Sequence, residues 1–254
     1  MDAWHRAITF MRMVDERAAE EVVPYSWGRA LVNRSLNLVH DLNYLIADRP
    51  VDVTADVLVA EADRIQGERS VGHRRVNVDD QEAAVRLASG FAERGYQAER
   101  FVIMAYQRTV QSKAGDTRID EVDWKLLRPV RRLERLRRPW GTDELVDQIL
   151  AKHELTARHV KTRYFAGLVE GQVASSCELR TEAGVAQIET VETLEEFRNR
   201  GLARAVLNAA LEAVAGEEFV FLVADLDDWP QEFYRRLGFD DIGIESRFLR
   251  LIDG

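Results

Sequence analysis

The same order of predicted elements occurs twice along this 254-residue chain, and the repeat limits the possible folds more than any other feature. Each copy runs helix, strand, helix, a glycine followed by an aromatic residue, and strand. The glycine–aromatic pairs are Gly95-Tyr96 and Gly238-Phe239. Alternating helices and strands also occur in unrelated α/β chains. The pattern predicts an α/β fold with two mixed twisted sheets flanked by helices, and it favours a duplicated unit.

Individual elements follow from periodicity, caps and turn residues. Thr54 is a predicted N-cap, and Gly95 is typical of the residue that ends a helix. Helices are predicted over residues 2–21, 55–66, 80–94, 143–152, 201–215 and 229–237. Strands are predicted over residues 37–47, 73–78, 99–110, 162–169, 172–179, 185–193, 219–224 and 242–251. The polar stretch 112–117 is interpreted as the boundary between two domains, residues 1–111 and 112–254.

The composition argues against several classes of protein. The formal net charge is −9, whereas a general nucleic-acid binder carries basic surface that neutralises phosphates. No apolar run is long enough to cross a bilayer, and residues 1–12 lack the apolar stretch of a signal peptide. Cys177 is the only cysteine, which excludes an intrachain disulfide and a multi-cysteine metal site. We therefore expect a cytoplasmic protein that binds neither nucleic acid nor membranes.

One short loop carries the strongest chemical signal. It follows the strand that ends near Thr193 and leads into the helix predicted from Gly201. The first turn of a helix presents unpaired backbone N–H groups and the positive end of the helix dipole, and both favour a phosphate or pyrophosphate. Gly201 lets the backbone approach such a group without a Cβ, while Arg198, Arg200 and Arg204 supply positive charge. The loop is a predicted pyrophosphate site.

At this loop the chain resembles the GNAT superfamily of acetyl-CoA-dependent N-acetyltransferases. That family uses Arg or Gln, two residues, Gly, one residue, and then Gly or Ala, a pattern matched by Arg198, Gly201 and Ala203. A second segment, DDWPQEFYRRLGF from Asp227 to Phe239, resembles the family's later signature, in which a helix with a tyrosine ends at Gly-Phe. The resemblance covers about residues 115–252. It implies a GNAT fold, acetyl-CoA as co-substrate and no metal.

The resemblance also implies roles for individual residues. Backbone groups of Val191 and Thr193 would pair with the pantetheine arm as an extra strand. Asp227 stands where many members have an asparagine near the pantetheine. Tyr234 would protonate the departing CoA thiolate, although an ordinary core tyrosine is the alternative. The pyrophosphate would be held by the backbone amides of Arg198, Asn199, Arg200, Gly201, Leu202, Ala203 and Arg204.

The general base is a choice among three acidic residues. Glu189 lies two residues before Val191, which on a regular strand places both on one face, and it could accept the amine proton directly or through water. Glu192 is expected on the other face, and Asp225 ends the following strand. Glu189 is the favoured candidate, and a solvated strand glutamate is the competing interpretation.

The first half lacks the residues that carry the family resemblance in the pyrophosphate loop and at the tyrosine. In the alignment of the two halves, the segment Arg49–Thr54 corresponds to the predicted pyrophosphate loop. This segment has no glycine, and it carries Asp52 where the phosphate would bind. Phe91 replaces the tyrosine. We therefore expect a degenerate N-terminal GNAT-like half and a single acetyl-CoA site. The tandem arrangement resembles that of mycothiol synthase, although this chain is shorter.

Five arginines recur at three- and four-residue spacing and share one predicted helix face. They are Arg128, Arg131, Arg132, Arg135 and Arg138. One interpretation is an anion site for an acidic acceptor or the CoA phosphates. The favoured one is a solvated face paired with the abundant acids.

The leading hypothesis is an N-acetyltransferase that moves an acetyl group to a primary amine by direct attack. The acceptor would be a small molecule, or a peptide through its N-terminus or a lysine. The alternative is a catalytically inactive acyl-CoA-binding or regulatory module. A further possibility is that residues 1–111 serve partner binding or homodimerisation.

Overall fold

A computed structural model describes residues 1–49, 52–107, 118–227 and 230–252 of the chain. The helices are α1 (Ala3–Arg17), α2 (Ala55–Glu68), α3 (Gln81–Ala92), α4 (Trp124–Leu136), α5 (Asp143–His159), α6 (Leu202–Ala213) and α7 (Pro230–Arg235). The strands are β1 (Glu21–Tyr25), β2 (Gly28–Val32), β3 (Tyr44–Ala47), β4 (His73–Val78), β5 (Gln97–Tyr106), β6 (Ile119–Val122), β7 (Lys161–Val169), β8 (Gln172–Glu182), β9 (Val185–Thr193), β10 (Phe219–Asp225) and β11 (Phe239–Leu251).

These strands form one continuous mixed sheet, in the order β1-β2-β3-β4-β11-β5-β10-β9-β8-β7-β6. β3 pairs with β4 in parallel, and β9 pairs with β10 in parallel. The other neighbours are antiparallel. The predicted α/β class is confirmed, but the expectation of two separate sheets is wrong, because the halves share a sheet.

The two halves are joined by an exchange of strands at the centre of the sheet. β5, from the first half, lies between β10 and β11 of the second half. In the same way β11 lies between β4 and β5. The pairing of β1 to β4 is repeated by that of β7 to β10, so the sheet is symmetric about the β5–β11 pair apart from the additional edge strand β6. The topology therefore repeats as the sequence predicted, and each half is completed by a strand of the other.

Helices cover both faces of the sheet. α2 and α3 pack on one face of the first half, where Leu58 contacts the same core as Phe248. α6 and α7 cover the same face of the second half. α1, α4 and α5 cover the opposite face, where Phe10 packs with Ile103 and Phe221. No helix in the four described ranges is long and apolar enough to cross a bilayer.

The segment before β3 is the main correction to the predicted elements. Residues 37–47 were expected to form a strand, but only Tyr44–Ala47 does. The preceding residues form two 3₁₀ turns, Arg34–Leu36 and His40–Leu42. Asn43 holds them, since its amide donates to Leu36 O at 2.9 Å and to Val39 O at 3.0 Å. The turns pack through an apolar cluster on α5 of the second half.

The β1–β2 hairpin is a second element that the sequence prediction missed. The first strand was predicted only over residues 37–47, whereas β1 and β2 lie at Glu21–Tyr25 and Gly28–Val32. At Gly28, a Cβ would lie 1.9 Å from Ile46 O of the neighbouring strand, so only glycine fits there. The predicted domain boundary at residues 112–117 lies outside the described residues.

The strand exchange predicts that the second half is not stable alone. Residues 114–254 would lack β5, whose Ile103 and Met104 are fully buried in the cores on opposite faces. The fragment would expose the edges of β10 and β11, which promotes aggregation. We expect it to be insoluble or molten when expressed alone, as measured by solubility and cooperative thermal unfolding.

Co-expression with residues 1–113 is the control, because it returns β5 to its place and should restore a soluble complex. A fragment 114–254 that is soluble, cooperative and fully active would contradict the exchange as a requirement for folding.

Candidate active site

Strands β9 and β10 run side by side and then separate. They pair only from Val185 to Ile188 on β9, opposite Phe219–Leu222. Beyond that point β9 continues on β8 as far as Thr193, and β10 continues on β5 as far as Asp225. The divergence leaves a wedge between the two strands, whose inner backbone edges can pair with an extended ligand.

The equivalent strands of the first half remain closed. β3 and β4 pair through Leu45–Ala47, to the last residue of each strand. The Asp79 N–H then donates to Ala47 O at 3.1 Å, which holds the ends together. The first half therefore has no wedge for a ligand.

The loop from Arg198 to Arg204 lies beyond the end of β9 and begins α6. Gly201 is the N-cap in a left-handed conformation, φ +76°, and no side chain caps the helix. The amides of the first turn are thus left without a side-chain partner. A Cβ at Gly201 would meet nothing within 4 Å, so the backbone faces open space. This arrangement fits a phosphate group approaching the helix start.

The other predicted cofactor residues lie around the wedge. Val191 packs against the apolar core under α6. The Thr193 hydroxyl lies 2.8 Å from Ser175 Oγ, and Arg198 Nε donates to Thr193 O at 3.5 Å. Asp227 is exposed after β10 and pairs with Arg100 at 3.2 Å, so its carboxylate already has a cationic partner.

A bulge in β9 changes which face the candidate bases occupy. Glu178 of β8 lies opposite Glu189, but Ser176, two residues earlier, lies opposite Glu192. The extra residue on β9 is absorbed at Thr190, whose φ is +49°. Glu189 and Glu192 therefore share a face, while Val191 points to the other. The expectation that Glu189 and Val191 share a face, and Glu192 does not, is wrong for this reason.

The face that carries Glu189 opens on a cavity of about 330 Å³. Both halves line it: α1, the 3₁₀ turns, β4 and β11 on one side, and α5, β8, β9 and β10 on the other. Two of the three candidate bases, Glu189 and Asp225, lie in its wall. Glu192 lies outside it, beside α4.

Glu189 is better placed than Asp225 to act as a base. Its Oε1 accepts a hydrogen bond of 2.6 Å from Gln187 Nε2. Burial raises the pKa of Glu189, and the positive charge of Arg180 acts against this rise. Asp225 is exposed and accepts from the Asp227 N–H at 2.9 Å, which closes a local turn.

Two buried carboxylates bind side chains that line the cavity. Glu245 of β11 binds Arg12 at 2.7 Å and Arg247 at 2.7 Å. Burial alone would raise the pKa of Glu245, but Arg247 and Arg12 outweigh it and lower the pKa to about 2. Glu178 of β8 binds Arg180 at 2.6 Å and His153 at 2.8 Å.

Sequence reasoning missed both clusters, because their members are far apart in the chain. The signal was present as a repeated Glu-x-Arg pattern, ELR at Glu178 and ESR at Glu245, in otherwise apolar strands. Four of the five arginines that were predicted to share a helix face lie on α4, and Arg138 lies beyond its end. Arg128 and Arg132 pair with acids of α5, as the favoured interpretation expects. Arg131 is instead fully buried beside Glu178.

Tyr234 lies on the other side of the sheet from Glu189. Its ring packs in the core between α6, α7 and the sheet, 6.1 Å from the ring of Phe239. The equivalent ring of the first half is Phe91, which stacks on Phe248 at 4.2 Å. The structure thus places the two predicted catalytic residues on opposite faces, with α7 packed on β10 beside the wedge.

The wedge, the uncapped helix start and the buried carboxylate in the adjoining cavity are arranged so that an extended ligand with a phosphate group would lie beside a proton acceptor. Residues 127–239 match the sequence model of the acetyltransferase (GNAT) family. The resemblance in the sequence of the second half is confirmed. No functionally curated protein matches the chain significantly.

Solved structures share the fold at low sequence identity. A functionally unknown conserved protein from Staphylococcus epidermidis is 16% identical over 92% of this chain and 94% of that chain, with a TM-score of 0.74. A GCN5-related N-acetyltransferase from Kribbella flavida is 16% identical over 99% of this chain and 96% of that chain, with a TM-score of 0.63. A tandem GNAT protein from the clavulanic acid biosynthesis pathway is 11% identical over 78% of this chain and 70% of that chain, with a TM-score of 0.54.

Proposed function

We propose that the protein transfers an acetyl group from acetyl-CoA to a primary amine, with all of the chemistry in its second half. The observation that carries the proposal is the wedge between β9 and β10, which joins the start of α6 to the cavity that contains Glu189. The pyrophosphate would lie on the amides of Arg198–Arg204, and the pantetheine arm along the edge of β9 at Val191 and Thr193. The thioester would then reach the cavity.

Glu189 and Tyr234 would handle the two protons of the reaction. The amine nitrogen attacks the thioester carbonyl carbon, the C–N bond forms and the C–S bond breaks. The amine gives a proton to the Glu189 carboxylate, whose raised pKa makes it a stronger base than an exposed glutamate. The departing sulfur takes a proton from the Tyr234 hydroxyl. No covalent intermediate with the enzyme is needed.

We propose that the first half binds no acetyl-CoA and is a degenerate GNAT-like unit. Its parallel strands are closed by the hydrogen bond from Asp79 to Ala47. Asp52 occupies the sequence position in the first half that corresponds to the glycine loop, and its negative charge would repel a phosphate. Phe91, in the place of Tyr234, has no hydroxyl to donate.

Gly201→Glu should abolish acetyl-CoA binding, because the new side chain adds negative charge where the pyrophosphate would lie. Isothermal titration should give one site per chain for the wild type and no measurable binding for the variant. Gly171→Glu is the matched control and should keep binding, since it places the same charged side chain on a left-handed glycine in the turn between β7 and β8. Two equivalent sites, or unchanged binding by Gly201→Glu, would contradict the single-site proposal.

Glu189→Gln should lower kcat/KM by about 10²- to 10⁴-fold, the range for loss of a general base. The wild-type rate should fall as the pH drops through the raised pKa of Glu189, because a protonated base accepts no proton. The variant should lose that dependence and keep its acetyl-CoA affinity. Glu192→Gln, on the same face but outside the cavity, is the control. Equal losses in both variants would remove Glu189 from the mechanism.

Tyr234→Phe should lower kcat much more than it weakens acetyl-CoA binding, because the hydroxyl is assigned to the leaving thiolate. Thermal unfolding of the variant separates this effect from damage to the core around the ring. If the variant turns over like the wild type, Tyr234 has a packing role only.

A further inference from the structure

Three cations share one carboxylate in the wall of the cavity. Asp41 Oδ1 binds Arg75 Nη1 at 2.7 Å, and Asp41 Oδ2 binds Lys152 Nζ at 3.1 Å. Arg247 Nη1 lies 3.9 Å from the same carboxylate. Lys152 carries three N–H donors and makes one hydrogen bond, to Asp41, among the described residues. The Lys152 ammonium can therefore donate further hydrogen bonds to a group bound in the cavity.

Arg135 adds a further cation to the cavity. Its guanidinium donates to Arg131 O at 3.3 Å, and no carboxylate of the described ranges forms an ion pair with it. Burial lowers the pKa of Arg135 because the cation is withdrawn from water, and the negative charges of Glu192 and Glu178 offset this only in part. A bound anion would offset the remaining cost of this burial.

The cavity also contains hydrogen-bond acceptors. Gln187 is 2% exposed and lines the cavity. Its Nε2 donates to Glu189, and its Oε1 has no hydrogen-bond partner within the described part of the chain. An ammonium group needs up to three acceptors, and Gln187 Oε1, Glu189 and Asp225 line the same space.

We infer that the acceptor is a small amine that also carries an anionic group, as an amino acid does. Its amine would lie at Gln187 and Glu189, and its carboxylate or phosphate at Lys152 and Arg135. The inference rests on the proposed acetyl transfer and specifies its acceptor. A cavity of about 330 Å³ is at the lower end of the size range of small-molecule sites, which suits such a compound.

The test compares amines that differ only in the anionic group, on the full chain, by release of the CoA thiol. The probes are amino acids with their decarboxylated amines, such as lysine with cadaverine, and phosphoethanolamine with ethanolamine. We expect each anion-bearing amine to exceed the matched amine without the anionic group in kcat/KM by roughly 10-fold or more, as for a charge-assisted hydrogen bond. A preference within the amino acid pairs would identify a carboxylate as the recognised anion, and a preference for phosphoethanolamine over ethanolamine would identify a phosphate.

Variants connect the preference to the cavity wall. Lys152→Met should reduce the advantage of the anion-bearing amine by roughly 10-fold, mainly through KM, and Lys152→Arg should retain it. Lys161→Met, the same change at an exposed residue of β7, is the control and should keep the full advantage. A thermal shift by the anion-bearing amine, lost in Lys152→Met, gives a readout without turnover.

Two results would overturn the inference in different ways. Equal turnover of amines with and without the anionic group would contradict the inference and leave acetyl transfer intact. The same holds if the preference for the anion-bearing amine survives Lys152→Met. Binding of acetyl-CoA without turnover of any amine would contradict the proposed function, and the inference with it.

Discussion

The exchange of β5 and β11 is the constraint on which the rest of the structure depends. β5 of the first half pairs with β10 and β11 of the second half, and β11 in turn pairs with β4 and β5 of the first half. β5 also buries side chains in the cores on both faces. The halves cannot separate without breaking the middle of the sheet. Any space between them is therefore held in a fixed shape, and the cavity above β4, β11, β5 and β10 is such a space.

The two halves have the same strand pairing but different strand ends. β9 and β10 diverge, whereas β3 and β4 stay paired to their last residues. Only the second half can therefore take a ligand between its parallel strands. The first half contributes to the site in another way, since its 3₁₀ turns pack on α5 and place Asp41 beside Lys152. In the proposed acetyl transfer, the first half would form part of the cavity wall around the acceptor.

Much of the fold could be predicted from local patterns. β4 matches its predicted bounds, α3 begins after Asp80 and ends before Gly95, and α6 begins beside Gly201 as predicted. The 3₁₀ turns were mistaken for a strand, because Asn37–Asn43 is apolar enough to resemble one and its shape depends on the Asn43 side chain. The strand exchange involves residues more than a hundred positions apart, which no local pattern reports.

The structure brings the predicted residues to the wedge and the cavity, but their relative geometry could not be predicted from the sequence. Glu189 was chosen from its position on the strand, and the bulge at Thr190 then reverses its relation to Val191 and Glu192. A bulge adds one residue and leaves no composition signal. The buried Glu178 and Glu245 clusters are formed by tertiary contacts between distant arginines, so only a repeated Glu-x-Arg pattern hinted at them.

The central claim is that one half of a shared sheet binds acetyl-CoA and the other half is closed. Hydrogen exchange of the full chain, with and without acetyl-CoA, tests it most directly. The account predicts slower exchange at residues 189–193 and 201–204 in the presence of acetyl-CoA, and no change at residues 44–49 and 52–56. Protection at the first-half segments, or none at residues 201–204, would contradict it.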